Sequence, residues 1–245
     1  MRHYTFIAII AALFTIIACE KKNESTSPDG TGDSNNLGRD LACYFNFDSG
    51  QANDLSGNGF NGVITYGTEM SIDTPNGVGK SVSLDGTNKQ FINIPYNIIG
   101  DNVNYTISLW IKDFGTGALV TSVATNAFRY PSLYITSDCY FRFNVSGSSK
   151  TVNQDISYLQ TKVWHHIVLA ATRELRKAYL YVDGQLFDSQ DVSNISANES
   201  KMVIGGDGDG HFDAWADPML IDNFRVYRRC LSADEVIELY NQELK

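Results

Sequence analysis

Lys177-Ala-Tyr-Leu-Tyr-Val-Asp-Gly-Gln-Leu-Phe-Asp-Ser189 decides the fold class. Leu180 and Val182 alternate with Tyr179 and Tyr181, the period-two pattern of a strand with one buried face. Asp183-Gly184 then separates this run from Gln185–Ser189, and Asp-Gly is a strong signal for a two-residue hairpin turn. The same alternation recurs on both sides. Cys139, Phe141, Phe143 and Val145 alternate with Tyr140, Arg142 and Asn144; Ile107, Leu109 and Ile111 share a face; so do Leu41, Cys43, Phe45 and Phe47. Ser56-Gly57-Asn58-Gly59, Pro75-Asn76-Gly77, Asp85-Gly86 and Ser146-Gly147-Ser148 mark turns. Turn spacing of roughly 8–12 residues predicts an all-β sandwich. One helix closes the chain. Ser232-Ala-Asp-Glu235 is a capping box, and Val236, Leu239 and Tyr240 form the apolar stripe that docks it.

The composition agrees. Of 245 residues, 43% are hydrophobic and 19% charged, which is ordinary for a globular domain and too apolar for disorder. The formal net charge of −9 argues against nucleic acid as a partner, because phosphate binding needs a basic face. Aromatic residues make up 12%, as strands and binding surfaces favour.

The N-terminus reads as an address. Phe6 to Ala18 is apolar except for Thr15. The run is shorter than the ~20 residues a membrane span needs and fits the h-region of a secretory signal. Ile16-Ile17-Ala18-Cys19 resembles the lipobox of bacterial lipoproteins. That resemblance implies cleavage before Cys19 and its acylation; a plain signal peptide with an incidental Cys is the alternative. Residues 20–39 contain only Leu37 as a strongly apolar side chain and read as a tether with a reach of roughly 25 Å. The expected division is a signal peptide over 1–18, a lipidated Cys and tether over 19–39, and one folded domain over 40–245. This predicts an exported protein, lipid-anchored in the bacterial cell envelope at the outer membrane. Glu20-Lys21-Lys22 directly after the Cys points to surface display, and the membrane is met through the anchor only.

The body resembles laminin-G-like, concanavalin A-like jelly-roll domains. Leu41-Ala-Cys-Tyr-Phe-Asn-Phe-Asp48 with Asp54-Leu-Ser-Gly-Asn-Gly-Phe-Asn-Gly62 resembles their opening, and Gly79-Lys-Ser-Val-Ser-Leu-Asp-Gly86 their second block. Tyr105-Thr-Ile-Ser-Leu-Trp-Ile-Lys112 is similar to their tryptophan strand. Trp164-His-His-Ile-Val168 with Leu180-Tyr-Val-Asp-Gly184 resembles the central hairpin, and Ile221–Ser232 the closing strand. The resemblance implies two antiparallel sheets packed as a jelly roll, with the first and last strands adjacent. It also implies that Trp110 and Trp164 are packing residues.

The resemblance further implies a Ca²⁺ site where the terminal strands meet, with Asp48, Asp222 and Asn61 as side-chain candidates. Calcium takes six to eight hard oxygens, and Asn/Gly-rich turns supply carbonyls. Turn hydrogen bonding by the same residues without metal is the other reading. Two ligand platforms stand out. In Gly205-Gly-Asp-Gly-Asp-Gly-His-Phe-Asp-Ala-Trp-Ala-Asp-Pro218, Trp215 suits stacking on a pyranose, with His211 and Asp213 beside it. An EF-hand is excluded there, because Pro218 stands where the closing Glu belongs. Tyr140, Arg142 and Asn144 form the second platform. Packing and solvated-face readings compete with both. His166 reads as a buried, hydrogen-bonded histidine and His165 as exposed. Cys43, Cys139 and Cys230 remain after lipidation; a Cys43–Cys230 disulfide and buried free thiols are the alternatives.

Catalytic signatures are missing. Glycosidases need two carboxylates about 5–5.5 Å apart for retention. The Glu-x-Asp-x-x-Glu strand of related glucanases and the Gln-x-His pattern of jelly-roll lyases do not occur. Nor is there a nucleophile elbow, a Cys–His signature or a phosphate loop. The expectation is a non-catalytic, glycan-binding envelope protein. The alternative is a protein-binding adhesion or scaffold domain, and an enzyme built from distant residues ranks below both.

Overall fold

The hairpin forms where the sequence predicts it. Asp183 and Gly184 take φ of 51° and 75°, the paired left-handed residues of a type I′ turn. The structure, a computed structural model, describes residues 37–65, 67–86, 90–100, 104–123, 130–145, 149–195, 201–206 and 216–245. In chain order it contains β1 (Leu41–Phe45), β2 (Val63–Ile64), β3 (Glu69–Ser71), β4 (Ser81–Leu84), β5 (Ile92–Ile94), β6 (Tyr105–Lys112), β7 (Gly117–Val123) and β8 (Ser132–Ile135). Then follow β9 (Tyr140–Asn144), β10 (Ser149–Asp155), β11 (His165–Thr172), β12 (Lys177–Val182), β13 (Gln185–Asp191), β14 (Lys201–Ile204), β15 (Met219–Tyr227) and helix α1 (Ala233–Glu243).

The strands build two antiparallel sheets. One has eight strands, ordered β13-β12-β11-β6-β15-β4-β3, with β1 also paired to β15. The other has seven, ordered β10-β9-β8-β7-β14-β5-β2. One edge of β15 takes β1 along Phe224–Tyr227 and β4 along Met219–Ile221, so the first and last strands are neighbours. This is the two-sheet jelly-roll sandwich, closed by a C-terminal helix.

Period two assigns the faces. Ile107, Leu109, Ile167, Leu169, Leu180 and Val182 point between the sheets, into one core with Ile92, Leu133, Phe141, Phe143 and Met202. Each fully buried aliphatic side chain there contributes roughly 2 kcal/mol. The opposite face of the eight-stranded sheet is covered too. Val168, Ala170, Tyr179, Tyr181 and Tyr227 pack against Val236 and Leu239 of α1. The predicted capping box starts that helix: Glu235 N–H donates to Ser232 Oγ at 3.3 Å, and Ser232 N–H to Glu235 Oε2 at 2.9 Å.

Covering both faces corrects several expectations. His165 does point away from His166, but toward the inter-sheet core, and is buried rather than exposed. Trp164 is only half-buried; its Nε1 donates to Asp73 Oδ1 at 2.8 Å, whereas Trp110 is in the interior as expected. A β-bulge between Leu41 and Cys43 turns Leu41 toward the helix side, while Cys43 and Phe45 stay in the main core. Cys139 lies in an exposed turn at φ 62°, outside the β9 alternation. Cys43 is a free, buried thiol facing the Phe60 carbonyl at 3.8 Å, so it forms no disulfide with Cys230.

Candidate functional site

Helix α1 packs on the outer face of the eight-stranded sheet, and the outer face of the seven-stranded sheet is open at β9 but closed over Ser132, Thr121 and Val203, which are buried. Tyr140, Arg142 and Asn144 stand on it, because Phe141 and Phe143 take the inward positions of β9. Arg142 is exposed, and Tyr140 and Asn144 are half-buried. Register adds residues that sequence reasoning missed. Tyr134 of β8 lies opposite Arg142, and Ser132 opposite Asn144. The row continues through Thr121 and Val203, both buried, to Asn93. Thr121 Oγ1 donates to the Gly206 carbonyl at 2.7 Å, tying β7 to the chain after β14. Asn93 Oδ1 is buried without a hydrogen-bond partner. The period-two pattern of Ser132–Ile135 could have flagged Tyr134; Asn93 carries no sequence signal. Asp138, in the turn before β9, is held below the usual carboxylate range by Thr136 first and by the Arg142 charge. Trp215, His211 and Asp213 lie outside the described residues, as does Cys19.

The terminal strands bring Asp48 and Asp222 into one electrostatic neighbourhood. Asp48 Oδ1 accepts from Lys80 N–H at 3.0 Å. The carboxylate lies so close over Gly79 (φ 87°) that a Cβ there would stand 1.7 Å from Oδ1. Asp222 is 3% exposed and accepts from Asn223 N–H at 2.7 Å. Burial, with the Asp48 and Glu243 charges adding, pushes its carboxyl up to about 8. The Asp48 charge thus acts on the buried Asp222 carboxyl, and a divalent cation between them would take oxygen ligands. Among the described residues no three His, Cys, Asp or Glu side chains cluster as metal ligands, so backbone carbonyls and water would complete the set. Asn61 is engaged within its own turn, where its Oδ1 accepts from Asp54 N–H at 2.8 Å. Asp54 in turn accepts from the N–H groups of Tyr44, Ser56 and Phe60, which shape the 54–62 turn. Burial opposes ionisation of Asp54, but these donors outweigh it and hold the carboxyl low.

A Ser–His–Glu contact exists, but it is sealed. His166 Nε2 lies 2.7 Å from Ser108 Oγ and 3.7 Å from Glu243 Oε2. Both Ser108 and His166 are 0% exposed. His166 Nδ1 has no partner, so nothing orients it as a base. Burial lowers its pKa to about 3. Glu243 also accepts from Trp110 Nε1 at 2.6 Å and from Arg225 Nε at 2.7 Å. This network clamps α1 onto the sheet. Burial pushes the Glu243 carboxyl up against the pull of those donors.

Residues 85–237, more than half of the chain, match the family described as the concanavalin A-like lectin/glucanases superfamily, laminin G type. The chain belongs to this superfamily. A curated relative, botulinum neurotoxin type X of Clostridium botulinum, is 25% identical over 209 residues, covering 79% of this chain and 15% of the toxin. The chain thus spans a small part of that relative's length. Among solved structures, the binding domain of Paraclostridial Mosquitocidal Protein 1 superposes with a TM-score of 0.65 at 21% identity, over 84% of this chain and 53% of that one. Domain 4 of AbnA, a GH43 extracellular arabinanase from Geobacillus stearothermophilus solved with arabinotriose, gives 0.64 at 18% identity, over 82% of this chain and 98% of that domain. At these identities the structural likeness speaks for the fold.

Proposed function

We propose that this is a non-catalytic glycan-binding protein of the bacterial cell envelope, anchored through acylated Cys19 and held off the membrane by residues 20–39. The outward face of the seven-stranded sheet carries the reading. Tyr134 and Arg142 are cross-strand neighbours there, with Tyr140 and Asn144 flanking them, while the other sheet is covered by α1. Aromatic rings take the apolar face of a pyranose, and Arg and Asn bond its hydroxyls. Trp215, His211 and Asp213 form the second proposed platform. The relatives support it in kind, since one neighbour is the binding domain of a mosquitocidal protein and another was solved with arabinotriose. Asp48 and Asp222 hold a structural Ca²⁺, which neutralises the paired carboxylates and ties β1 to β15.

A glycan array with the purified full chain tests the proposal. Arg142→Ala and Trp215→Ala are expected to lose signal on the glycans that the parent binds. An empty array, or undiminished signal from both variants, removes the sugar face. Turnover of any polysaccharide removes the non-catalytic reading.

A further inference from the structure

Three arginines lie at the end of β15 and just beyond it, and two of them are neutralised. Arg225 pairs with Glu243 at 2.7 Å, and Arg229 with Glu235 at 2.7 Å. Arg228, between them, has no carboxylate partner among the described residues, in a chain with 28 acidic and 19 basic side chains. It is nonetheless held firmly. Its backbone N–H donates to the Asp40 carbonyl at 2.8 Å, and its Nε to the Ile98 carbonyl at 2.7 Å. Its guanidinium carbon lies 5.6 Å from the centre of the Phe60 ring. Phe60 is 5.4 Å from Tyr96, which is 39% exposed. Asp54, the acid of the same turn, is committed to backbone donors including Phe60 N–H. Three segments far apart in sequence thus hold one half-buried cation over the Phe60 ring, with Tyr96 packed beside that ring. Nε is occupied, so the terminal Nη pair is the edge available to a ligand.

We propose that Arg228, Phe60 and Tyr96 form a second sugar subsite, separate from the sheet face, that takes an acidic pyranose. The planar carboxylate of a uronic acid matches the two Nη donors, and the ring's apolar face lies on Tyr96. An anion without an apolar face would leave Tyr96 unused, and a neutral sugar would leave the Arg228 charge uncompensated.

The test titrates the purified full chain by calorimetry with a galacturonic acid trimer and, separately, with its methyl ester, which keeps the skeleton and removes the charge. The acid is expected to bind about tenfold or more tightly than the ester, the scale of a charge-assisted hydrogen-bond pair. Arg228→Gln is expected to erase that difference, and Tyr96→Ala to weaken both ligands. The exposed-site control Lys162→Gln is expected to leave both as they are. Because Arg228 also braces Ile98, Arg228→Lys is measured beside it. It keeps the charge and loses the fork, so it too is expected to lose most of the preference. Melting curves confirm that each variant is folded. Equal binding of acid and ester overturns the proposal, as does an acid preference that survives Arg228→Gln, or binding of both ligands undiminished by Tyr96→Ala. Acid binding lost in Arg142→Ala but kept in Arg228→Gln assigns the ligand to the sheet face and overturns this subsite alone. No binding of the acid here, with neutral glycans still bound on the array, also sinks the subsite alone; no binding of any glycan sinks both readings.

Discussion

His165 and His166 are adjacent in sequence and opposite in electrostatics, and the contrast sets a measurable pH signature. His166 is buried with Nε2 on Ser108 and stacks on Trp110 at 5.1 Å. Its pKa falls from 6.5 to about 3, chiefly through desolvation. The unfolded chain therefore takes up a proton below pH 6.5 that the fold refuses, and stability is lost as pH falls from there toward 3. The slope approaches about 1.4 kcal/mol per pH unit, so at pH 5 the loss is about 2 kcal/mol relative to pH 8. His165 has the reverse sign. Desolvation works against its charge, but Nδ1 lies 2.7 Å from Asp183 Oδ2 and Nε2 3.2 Å from the Gln160 carbonyl, and together they raise its pKa. Both ring nitrogens face acceptors, which only the imidazolium satisfies. Its stabilisation is complete below 6.5 and is lost as pH rises through the raised value. Urea denaturation of the parent, His166→Gln and His165→Asn between pH 5 and pH 8 tests the pair. Asp222 and the other carboxylates contribute the same background to all three, so the differences isolate the histidines. Relative to the parent, His166→Gln should gain about 2 kcal/mol between pH 8 and pH 5. His165→Asn should gain as pH rises above 6.5. Difference curves that are flat, or that slope the same way, would refute the assignment.

Glu243→Ala leaves Arg225 charged and half-sealed and Trp110 Nε1 without its acceptor. It should cost about 3–5 kcal/mol in urea denaturation, and adding Arg225→Met should recover part of that loss. A chelator should lower the melting midpoint of the parent but not that of Asp222→Asn; a parent midpoint unmoved by chelator eliminates the structural cation. Under native conditions a thiol reagent should modify Cys139, which is exposed, and spare Cys43, whose thiol pKa is pushed up by burial and by Asp54; mass spectrometry of the labelled peptides reads this directly.

The sandwich was legible because its signals are local and redundant. Asp183-Gly184 imposes a turn geometry, Ser232 and Glu235 satisfy each other's backbone, and period two runs through β6, β9 and β12. What period two does not reveal is how many faces are covered. His165 reads as solvent-facing only if β11 has one wet side, and it has none: the other sheet covers one face and α1 the other. The same second cover buries Glu243, which no apolar stripe marks. A bulge is equally silent, so Leu41 reads as sharing the face of Cys43 when the backbone has in fact turned it to the other side.

The site is less legible for a related reason. Tyr140, Arg142 and Asn144 follow from one strand's alternation, but their partner Tyr134 follows only from register. Arg228 shows the limit most sharply. In sequence it is one of two consecutive arginines before a capping box, and nothing local separates it from Arg229. Helix geometry does: Glu235 at the third helical position reaches back to cap Ser232 and takes Arg229 in the same motion. Glu243, one helix length later, takes Arg225. With Glu235 and Glu243 engaged, Arg228 among the described residues meets a ring at 60 and a carbonyl at 98, while Asp54 of the same turn as Phe60 is held by backbone donors. An arginine anchored with no carboxylate partner among the described residues is where an acidic ligand gains a charge partner without displacing one.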